Sequence, residues 1–196
     1  MAERLRSALL DEASTQGINI MKLMGNTILV TGGTSGIGRS LAEALHERGN
    51  TVIVAGRRQS LLDEVVAGRE RMTGVALDLN DPTSLPHFAR DIQARFPRLN
   101  VLVANAGISS TEDLANGWDQ PAAEAMVETN ILGTLRVVGA LLPNLKQQPD
   151  AVIMATTSNL GFVPKAIFPT YCATKAFLHS WLQSLRYQLR HLPVEV

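Results

Sequence analysis

The sequence has very little cysteine and no excess of charge of either sign. Its 196 residues include one cysteine, Cys172, so a disulfide framework within the chain is excluded and a reducing compartment is expected. The 18 lysines and arginines are balanced by 18 aspartates and glutamates, which gives no electrostatic sign of nucleic acid or of an anionic membrane surface. We therefore expect no nucleic-acid partner.

Long hydrophobic runs are also lacking. No continuous apolar run reaches the roughly 18 residues that indicate a membrane span. The N-terminus carries Glu3, Asp11 and Glu12 and has no apolar h-region, so it does not resemble a signal peptide. The four histidines are scattered without the spacing of metal ligands, so no metal site is expected. These absences predict a cytoplasmic protein with no membrane partner.

Apolar side chains, by contrast, are plentiful. They make up 45% of the chain, which is enough for a sizeable core, and the length favours one domain. Residues 1–20 differ in character from the rest and are interpreted as an N-terminal appendage, with a docking helix as the alternative. Residues 21–196 are expected to form the main domain.

Short apolar runs alternate with longer helical patterns from Asn26 onward. The predicted strands are 27–30, 51–55, 75–77, 101–104, 151–155 and a last one that begins at Val194. The predicted helices lie between Ile37 and Gly49 and over 59–70, 82–95, about 121–142 and about 170–191. The strands are apolar on both faces, as expected when helices cover both sides of a sheet. This βαβαβ rhythm predicts an α/β fold with a doubly wound parallel sheet, and the chain ends within the sixth strand.

A glycine-rich segment lies directly between the first predicted strand and the first predicted helix. It reads Thr31-Gly32-Gly33-Thr34-Ser35-Gly36-Ile37-Gly38. Glycine allows a tight turn and a close approach of the backbone to a pyrophosphate, and the helix behind it offers free N–H groups and a positive dipole end. Because a strand precedes the segment and an amphipathic helix follows it, we interpret it as the dinucleotide-binding turn of a Rossmann fold rather than a merely structural turn.

The spacing of these glycines resembles the fingerprint T-G-x-x-x-G-x-G of the short-chain dehydrogenase/reductase family. The resemblance implies that the cofactor is contacted by Gly32, Thr34, Ser35, Gly36, Ile37 and Gly38. It further implies that Asp78 and Leu79, at the end of the third strand, touch the adenine ring. Asn105, Ala106 and Gly107 match the family's N-A-G segment, which shapes the cofactor pocket and steadies the sheet.

The residues after the second strand indicate which dinucleotide binds. An acidic residue there would bind a ribose 2′-hydroxyl and repel a 2′-phosphate, but the sequence reads Ala55-Gly56-Arg57-Arg58. Guanidinium groups suit a phosphate by charge and by geometry. We therefore expect NADP(H) rather than NAD(H), with Arg57 as the first contact and Arg58 as the second. The alternative is that these arginines only solvate a loop.

The segment Tyr171-Cys172-Ala173-Thr174-Lys175 matches the family's Y-x-x-x-K motif. Four-residue spacing places Tyr171 and Lys175 on one face of a helix. A free tyrosine has a pKa of about 10, and a nearby ammonium lowers such a pKa by favouring the phenolate. The resemblance implies that Tyr171 is the general acid and base, and that Lys175 also holds the nicotinamide ribose.

Two further residues complete the family pattern. Ser158 lies thirteen positions before Tyr171, in the segment Ser158-Asn159-Leu160-Gly161 that matches the family's S-x-x-G. Its hydroxyl is expected to stabilise charge on the substrate oxygen. Asn130, within Thr129-Asn130-x-x-Gly133, matches the helix asparagine that holds a water in the proton relay.

Together these motifs predict an NADP-dependent oxidoreductase that transfers a hydride to or from a small carbonyl or alcohol substrate. The alternative is a catalytically idle NADP(H)-binding or oligomeric scaffold protein, because folds retain motifs after losing activity.

The predicted helices at about 121–142 and 170–191 are apolar over much of their circumference. In the family the matching helices pair across a subunit interface, so a homodimer or homotetramer is expected. Family members normally continue beyond the sixth strand with substrate-binding segments.

Overall fold

The computed structural model describes residues 22–196, so the predicted appendage at residues 1–20 lies outside the described residues. The strands are β1 (Thr27–Thr31), β2 (Thr51–Gly56), β3 (Met72–Ala76), β4 (Leu99–Ala104), β5 (Ala151–Ala155) and β6 (Val194–Glu195). The helices are α1 (Gly36–Glu47), α2 (Gln59–Val66), α3 (Leu85–Arg95), α4 (Gln120–Val127), α5 (Thr134–Leu145) and α6 (Pro169–Leu189), with a π-helical turn (Glu128–Gly133) and a 3₁₀ turn (Asn159–Gly161).

All six strands form one parallel sheet in the order β3-β2-β1-β4-β5-β6. Alternate side chains of each central strand enter different hydrophobic clusters. Ile28 and Val30 of β1 pack in a cluster that includes α1 and α2 residues, whereas Leu29 packs in a second cluster with residues of α3, α5 and α6. Helices therefore cover both faces of the sheet, which confirms the predicted doubly wound α/β architecture.

Several predicted boundaries were wrong by a few residues in the region between β2 and α3. Helix α2 ends at Val66 rather than near residue 70, because Gly68 adopts a left-handed conformation with φ of +72°. β3 then begins at Met72, which pairs with Val52, and it ends at Ala76. Asp78 and Leu79 therefore lie beyond the strand rather than at its end.

The helix predicted over 82–95 begins three residues later, at Leu85. The carboxylate of Asp81 accepts hydrogen bonds from the backbone N–H of Thr83 (2.9 Å) and from its hydroxyl (2.6 Å). Such a side-chain bond stabilises a turn in competition with the helix. The chain therefore enters α3 through a short polar turn.

The longest apolar helical stretch runs through α4, the π-helical turn and α5, from Gln120 to Leu145. By length and composition alone it could cross a membrane, although no continuous apolar run suggested this. A core helix passes the same test, and the α5 residues Val137, Leu141 and Leu145 are fully buried in the larger hydrophobic cluster. Packing in this cluster accounts for the apolar residues on one face of α5.

The order of the strands reverses between β1 and β4. From β1 the chain moves to β2 and β3 on one side, and β4, β5 and β6 continue on the other side. In parallel α/β sheets, ligands bind in the crevice outside the carboxyl ends of the strands at such a switch point. The segments that follow β1, β2, β4 and β5 are therefore placed to form a site together.

Candidate functional site

A cavity of about 440 Å³ opens at this switch point. It is lined by all the residues predicted to bind cofactor: Gly32, Thr34, Ser35, Gly36, Ile37, Gly38, Arg57, Arg58, Asp78, Leu79, Asn105, Ala106, Gly107, Tyr171 and Lys175. Asn130 and Ser158 are not among the lining residues. The structure thus brings the glycine-rich turn, the arginine pair and the Y-x-x-x-K motif around one space.

Sequence reasoning missed nine lining residues. They are Thr31, Ala55, Gly56, Leu77, Asn80, Ile108, Ser109, Thr129 and Thr156. Most of them lie at or just after a strand end, so the rule that ligands bind at the carboxyl edge would have found them. Thr129 belongs to the π-helical turn instead, where its hydroxyl donates a hydrogen bond to Asn80 Oδ1 (3.1 Å), another lining residue.

The glycine-rich turn has little space for larger residues. A Cβ on Gly38 would collide with Asn105 Nδ2 and with the carbonyl oxygen of Gly32, while Gly32 and Gly36 both have positive φ values. α1 begins at Gly36, and its N-cap residue Ser35 makes no side-chain capping bond. The first N–H groups of the helix are therefore left for a ligand in the cavity, which fits a pyrophosphate.

The two arginines after β2 form part of the cavity wall. Arg57 and Arg58 are exposed and line the cavity. Arg39 is directed elsewhere, since its guanidinium bonds to Glu43 (3.1 Å) and to Glu64 (2.7 Å). The pair after β2, and not Arg39, is therefore available to a ligand.

A hydrogen-bond network ties the ends of β1, β4 and β5 together. The Thr31 hydroxyl oxygen accepts bonds from the backbone N–H groups of Asn105 (3.1 Å) and Ala106 (3.2 Å). The Asn105 amide donates to the Thr31 carbonyl (3.2 Å) and accepts from the Thr156 hydroxyl (3.0 Å). These bonds hold the floor of the cavity in one arrangement.

Lys175 is buried, with 3% of its surface exposed. Its Nζ donates a hydrogen bond to the Thr156 carbonyl oxygen (2.7 Å) and lies 5.7 Å from the centre of the Tyr171 ring. Burial lowers the pKa of the Lys175 ammonium, because removal from water disfavours its charge. Tyr171 is half-buried and shares the cavity wall with this lysine.

Asn130 lies behind the cavity wall and is fully buried. Its Oδ1 accepts from the Ile108 N–H (2.8 Å), and its Nδ2 donates to the Ile108 carbonyl (2.9 Å) and to the Thr174 hydroxyl (3.1 Å). Gly107 lies between this amide and Lys175, since a Cβ there would be 3.2 Å from Asn130 Oδ1 and 3.5 Å from Lys175 Nζ. The side chain joins the segment after β4 to α6.

Ser158 lies just outside the cavity, at the start of the 3₁₀ turn. Its Oγ accepts a bond from the Leu160 N–H (3.2 Å) and lies 3.3 Å from Asn159 Oδ1. Gly161 at the end of this turn packs directly on α6, where a Cβ would come within 2.9 Å of the Lys175 carbonyl carbon. The glycine of the S-x-x-G segment therefore allows the Ser158 turn to lie against the helix that carries Lys175.

Comparison with known proteins gives a consistent result. The family model described as short chain dehydrogenase matches residues 26–196. The uncharacterized oxidoreductase DltE of Bacillus subtilis is 39% identical over 177 residues, which cover 90% of this chain and 70% of that protein. Sulfoacetaldehyde reductase 2 of Chromohalobacter salexigens is 32% identical, covering 88% of this chain and 70% of the relative.

Solved structures share the fold. A short-chain dehydrogenase from Streptomyces avermitilis has a TM-score of 0.82 at 32% identity, covering 88% of this chain and 63% of that structure. A closed form of serine dehydrogenase complexed with NADP⁺ has a TM-score of 0.82 at 29% identity, covering 87% and 69%. A Burkholderia phymatum structure in complex with NAD also shares the fold, with a TM-score of 0.82 at 23% identity. The match covers 90% of this chain and 65% of that structure. The chain spans about two thirds of the length of these structures.

Proposed function

The chain belongs to the short-chain dehydrogenase family, and on that premise we propose that it is an NADP(H)-dependent oxidoreductase acting on a small carbonyl or alcohol substrate. The observation that carries the proposal is that Tyr171 and Lys175 line the same cavity as the glycine-rich turn. A dinucleotide bound on that turn brings its reactive end within reach of a proton donor. The reductase among the relatives, which is named for an aldehyde substrate, supports this class of reaction.

The proposed chemistry pairs a hydride transfer with a proton transfer at the substrate oxygen. The nicotinamide, when bound, supplies or accepts the hydride. In the direction of reduction, the Tyr171 phenol donates its proton to the carbonyl oxygen, and the product is an alcohol. Ser158 is proposed to stabilise the substrate oxygen by a hydrogen bond, which requires its O–H to turn from Asn159 Oδ1.

We propose that Lys175 binds and orients the nicotinamide ribose. Among residues 22–196, the Lys175 ammonium donates to one acceptor, the Thr156 carbonyl oxygen. An ammonium has three N–H donors. Two donors therefore remain for the hydroxyls of a nicotinamide ribose. Asn130 is proposed to support the proton relay at the same point, because its amide holds Ile108 and Thr174 next to this lysine.

NADP(H) is the proposed cofactor because Arg57 and Arg58 take the position where an acidic residue would select NAD(H). Both line the cavity, and their guanidinium groups suit the 2′-phosphate of the adenosine ribose. The NADP⁺ found in the similar serine dehydrogenase structure is in keeping with this proposal. We also propose a cytoplasmic location. Cys172 is a free, buried thiol, which is in keeping with a reducing compartment.

A thermal-shift titration tests the cofactor proposal directly. NADPH at about 100 times its dissociation constant should stabilise the folded protein by about 2.7 kcal/mol, which raises Tm by roughly 5 to 10 °C. NADH at the same concentration should give a much smaller shift. Gly38→Ala should abolish the NADPH shift, whereas Gly139→Ala, where a Cβ meets nothing within 4 Å, should preserve it. The absence of any shift with either dinucleotide would contradict the proposal.

We also propose that the protein is a homodimer or homotetramer that pairs through α4, α5 and α6. Large apolar side chains remain exposed on α4, on the π-helical turn that follows it and on α6: Val127, Leu132, Phe177 and Tyr187. Sedimentation should give at least about twice the 21.2 kDa mass of one chain. Val127→Glu should weaken the association, whereas Leu192→Glu, which changes an exposed leucine after α6, should not. A monomer at all concentrations would refute this assembly.

A further inference from the structure

We propose that Glu112 is a positioning residue for Tyr171. Its carboxylate holds the first turn of α6, one residue before the phenol, from the segment that follows β4. This inference rests on the proposed function, in which Tyr171 is the proton donor. Neither the glycine-rich turn nor the Y-x-x-x-K motif includes Glu112.

The contact between Glu112 and α6 consists of two hydrogen bonds. Glu112 Oε2 accepts from the backbone N–H of Thr170 (2.9 Å), and Glu112 Oε1 accepts from the Thr170 hydroxyl (2.7 Å). The two residues are 58 positions apart in the chain, and both are half-buried. Both carboxylate oxygens are thus directed at the residue that immediately precedes Tyr171.

The start of α6 needs such a partner. The first N–H groups of a helix have no acceptor within it. The N-cap residue Phe168 offers no side-chain capping bond, and Pro169 has no N–H, so Thr170 carries the first N–H of the helix. A carboxylate at this end satisfies that donor and interacts favourably with the helix dipole.

Tyr171 is held from its other side as well. The Thr174 hydroxyl donates to the Tyr171 carbonyl oxygen (2.7 Å) and accepts from the buried amide of Asn130 (3.1 Å). The Asn130 side chain in turn bonds to both the backbone N–H and the backbone carbonyl of Ile108. Ile108 and Glu112 belong to the same segment after β4, so this segment secures the helix turn at Thr170 and at Thr174.

The side chain of Glu112 can be removed without detaching its loop. The Glu112 backbone N–H separately donates to the Ile167 carbonyl oxygen (3.0 Å), and replacing the side chain by alanine or glutamine leaves this donor present. Loss of the carboxylate therefore frees the first turn of α6 while the Asn130 and Thr174 bonds stay in place. The expected consequence is a phenol less well aligned with the substrate oxygen.

The test compares Glu112→Ala with the neighbouring Asp113→Ala. Asp113 is a matched control because it is exposed and its carboxylate bonds to Asn116 (2.6 Å) within its own loop. We expect Glu112→Ala to lower kcat for aldehyde reduction by about 10-fold to 100-fold, the range for a small misplacement of a catalytic group. KM for the aldehyde and Kd for NADPH should stay close to those of the wild type. Glu112→Gln, which keeps one oxygen acceptor at the same reach, should recover part of the loss.

A purely stabilising role gives a different result. It would lower Tm and leave kcat unchanged at 25 °C if that temperature is well below the Tm of each variant. A kcat for Glu112→Ala equal to that of Asp113→Ala therefore overturns the proposal.

Hydrogen exchange separates this inference from the proposed function. If the wild type binds NADPH but reduces no aldehyde, the proposed function fails on its own. In that case the amides of residues 170–175 should still exchange faster in Glu112→Ala than in Asp113→Ala, since the first turn has lost its partner. Equal exchange in the two variants would overturn the positioning role.

Discussion

Tyr171→Phe should lower kcat for carbonyl reduction by about 100-fold or more, because general acid–base catalysis typically supplies at least that factor. The change removes one oxygen and leaves the ring in the cavity wall, so the Kd for NADPH should hardly change. Steady-state kinetics with NADPH and an aldehyde panel measures the first quantity, and fluorescence titration of NADPH measures the second. The difference between them isolates proton transfer from cofactor binding.

The chain offers a matched control for this substitution. Tyr187 lies on the same helix, is 67% exposed, and has its ring against the Arg190 guanidinium rather than in the cavity. Tyr187→Phe should leave both kcat and NADPH binding unaltered. If the wild type binds NADPH but no aldehyde or alcohol is converted, and Tyr171→Phe behaves like the wild type, the catalytically idle nucleotide-binding scaffold becomes the correct description.

Arg57→Asp should weaken NADPH binding by at least about 100-fold. The substitution removes a charge-assisted hydrogen bond, worth about 1.5 to 3 kcal/mol, and places a repulsive carboxylate near the 2′-phosphate. An aspartate at this position can bond to a ribose 2′-hydroxyl, so affinity for NADH should be retained or should rise. Isothermal titration with both dinucleotides measures the change in preference.

The control for Arg57→Asp must make the same change of charge elsewhere. Arg90 is exposed on α3 and does not line the cavity, so Arg90→Asp alters the net charge equally. It should leave the ratio of NADPH to NADH affinity unchanged. An equal loss of both dinucleotides in Arg57→Asp would show that this arginine does not read the 2′-phosphate.

The architecture could be predicted from sequence because each strand and each helix carries its own local pattern. The run Ala151–Ala155 was predicted with its observed bounds, since a buried parallel strand is a continuous apolar run. The bounds of α2 and β3 were less accurate. They depend on the left-handed turn at Gly68 and on the pairing of Met72 with Val52, and the second is a contact between distant parts of the chain.

The candidate site was predictable where its residues follow a strand or repeat on a helix. The glycine-rich turn follows β1, and the spacing of Tyr171 and Lys175 places both on one helical face, so sequence alone located them. Glu112 carries no such signal, because its bonds to Thr170 join segments 58 residues apart. Thr156 directly follows β5 and could have been predicted by position, but its bond to Lys175 could not. That bond uses a backbone carbonyl, which any residue type could provide.

That backbone bond has a consequence for how the protein tolerates mutation. Substituting residue 156 can abolish the hydroxyl that bonds to Asn105 (3.0 Å), but it cannot delete the carbonyl that anchors Lys175. The lysine therefore depends directly on the path of the main chain after β5, and on the side chain at position 156 only through the bond to Asn105 that helps to hold that path. Most substitutions at this codon should therefore leave the hydrogen bond to Lys175 in place. Only changes that bend the backbone, such as proline or an insertion, would displace the lysine.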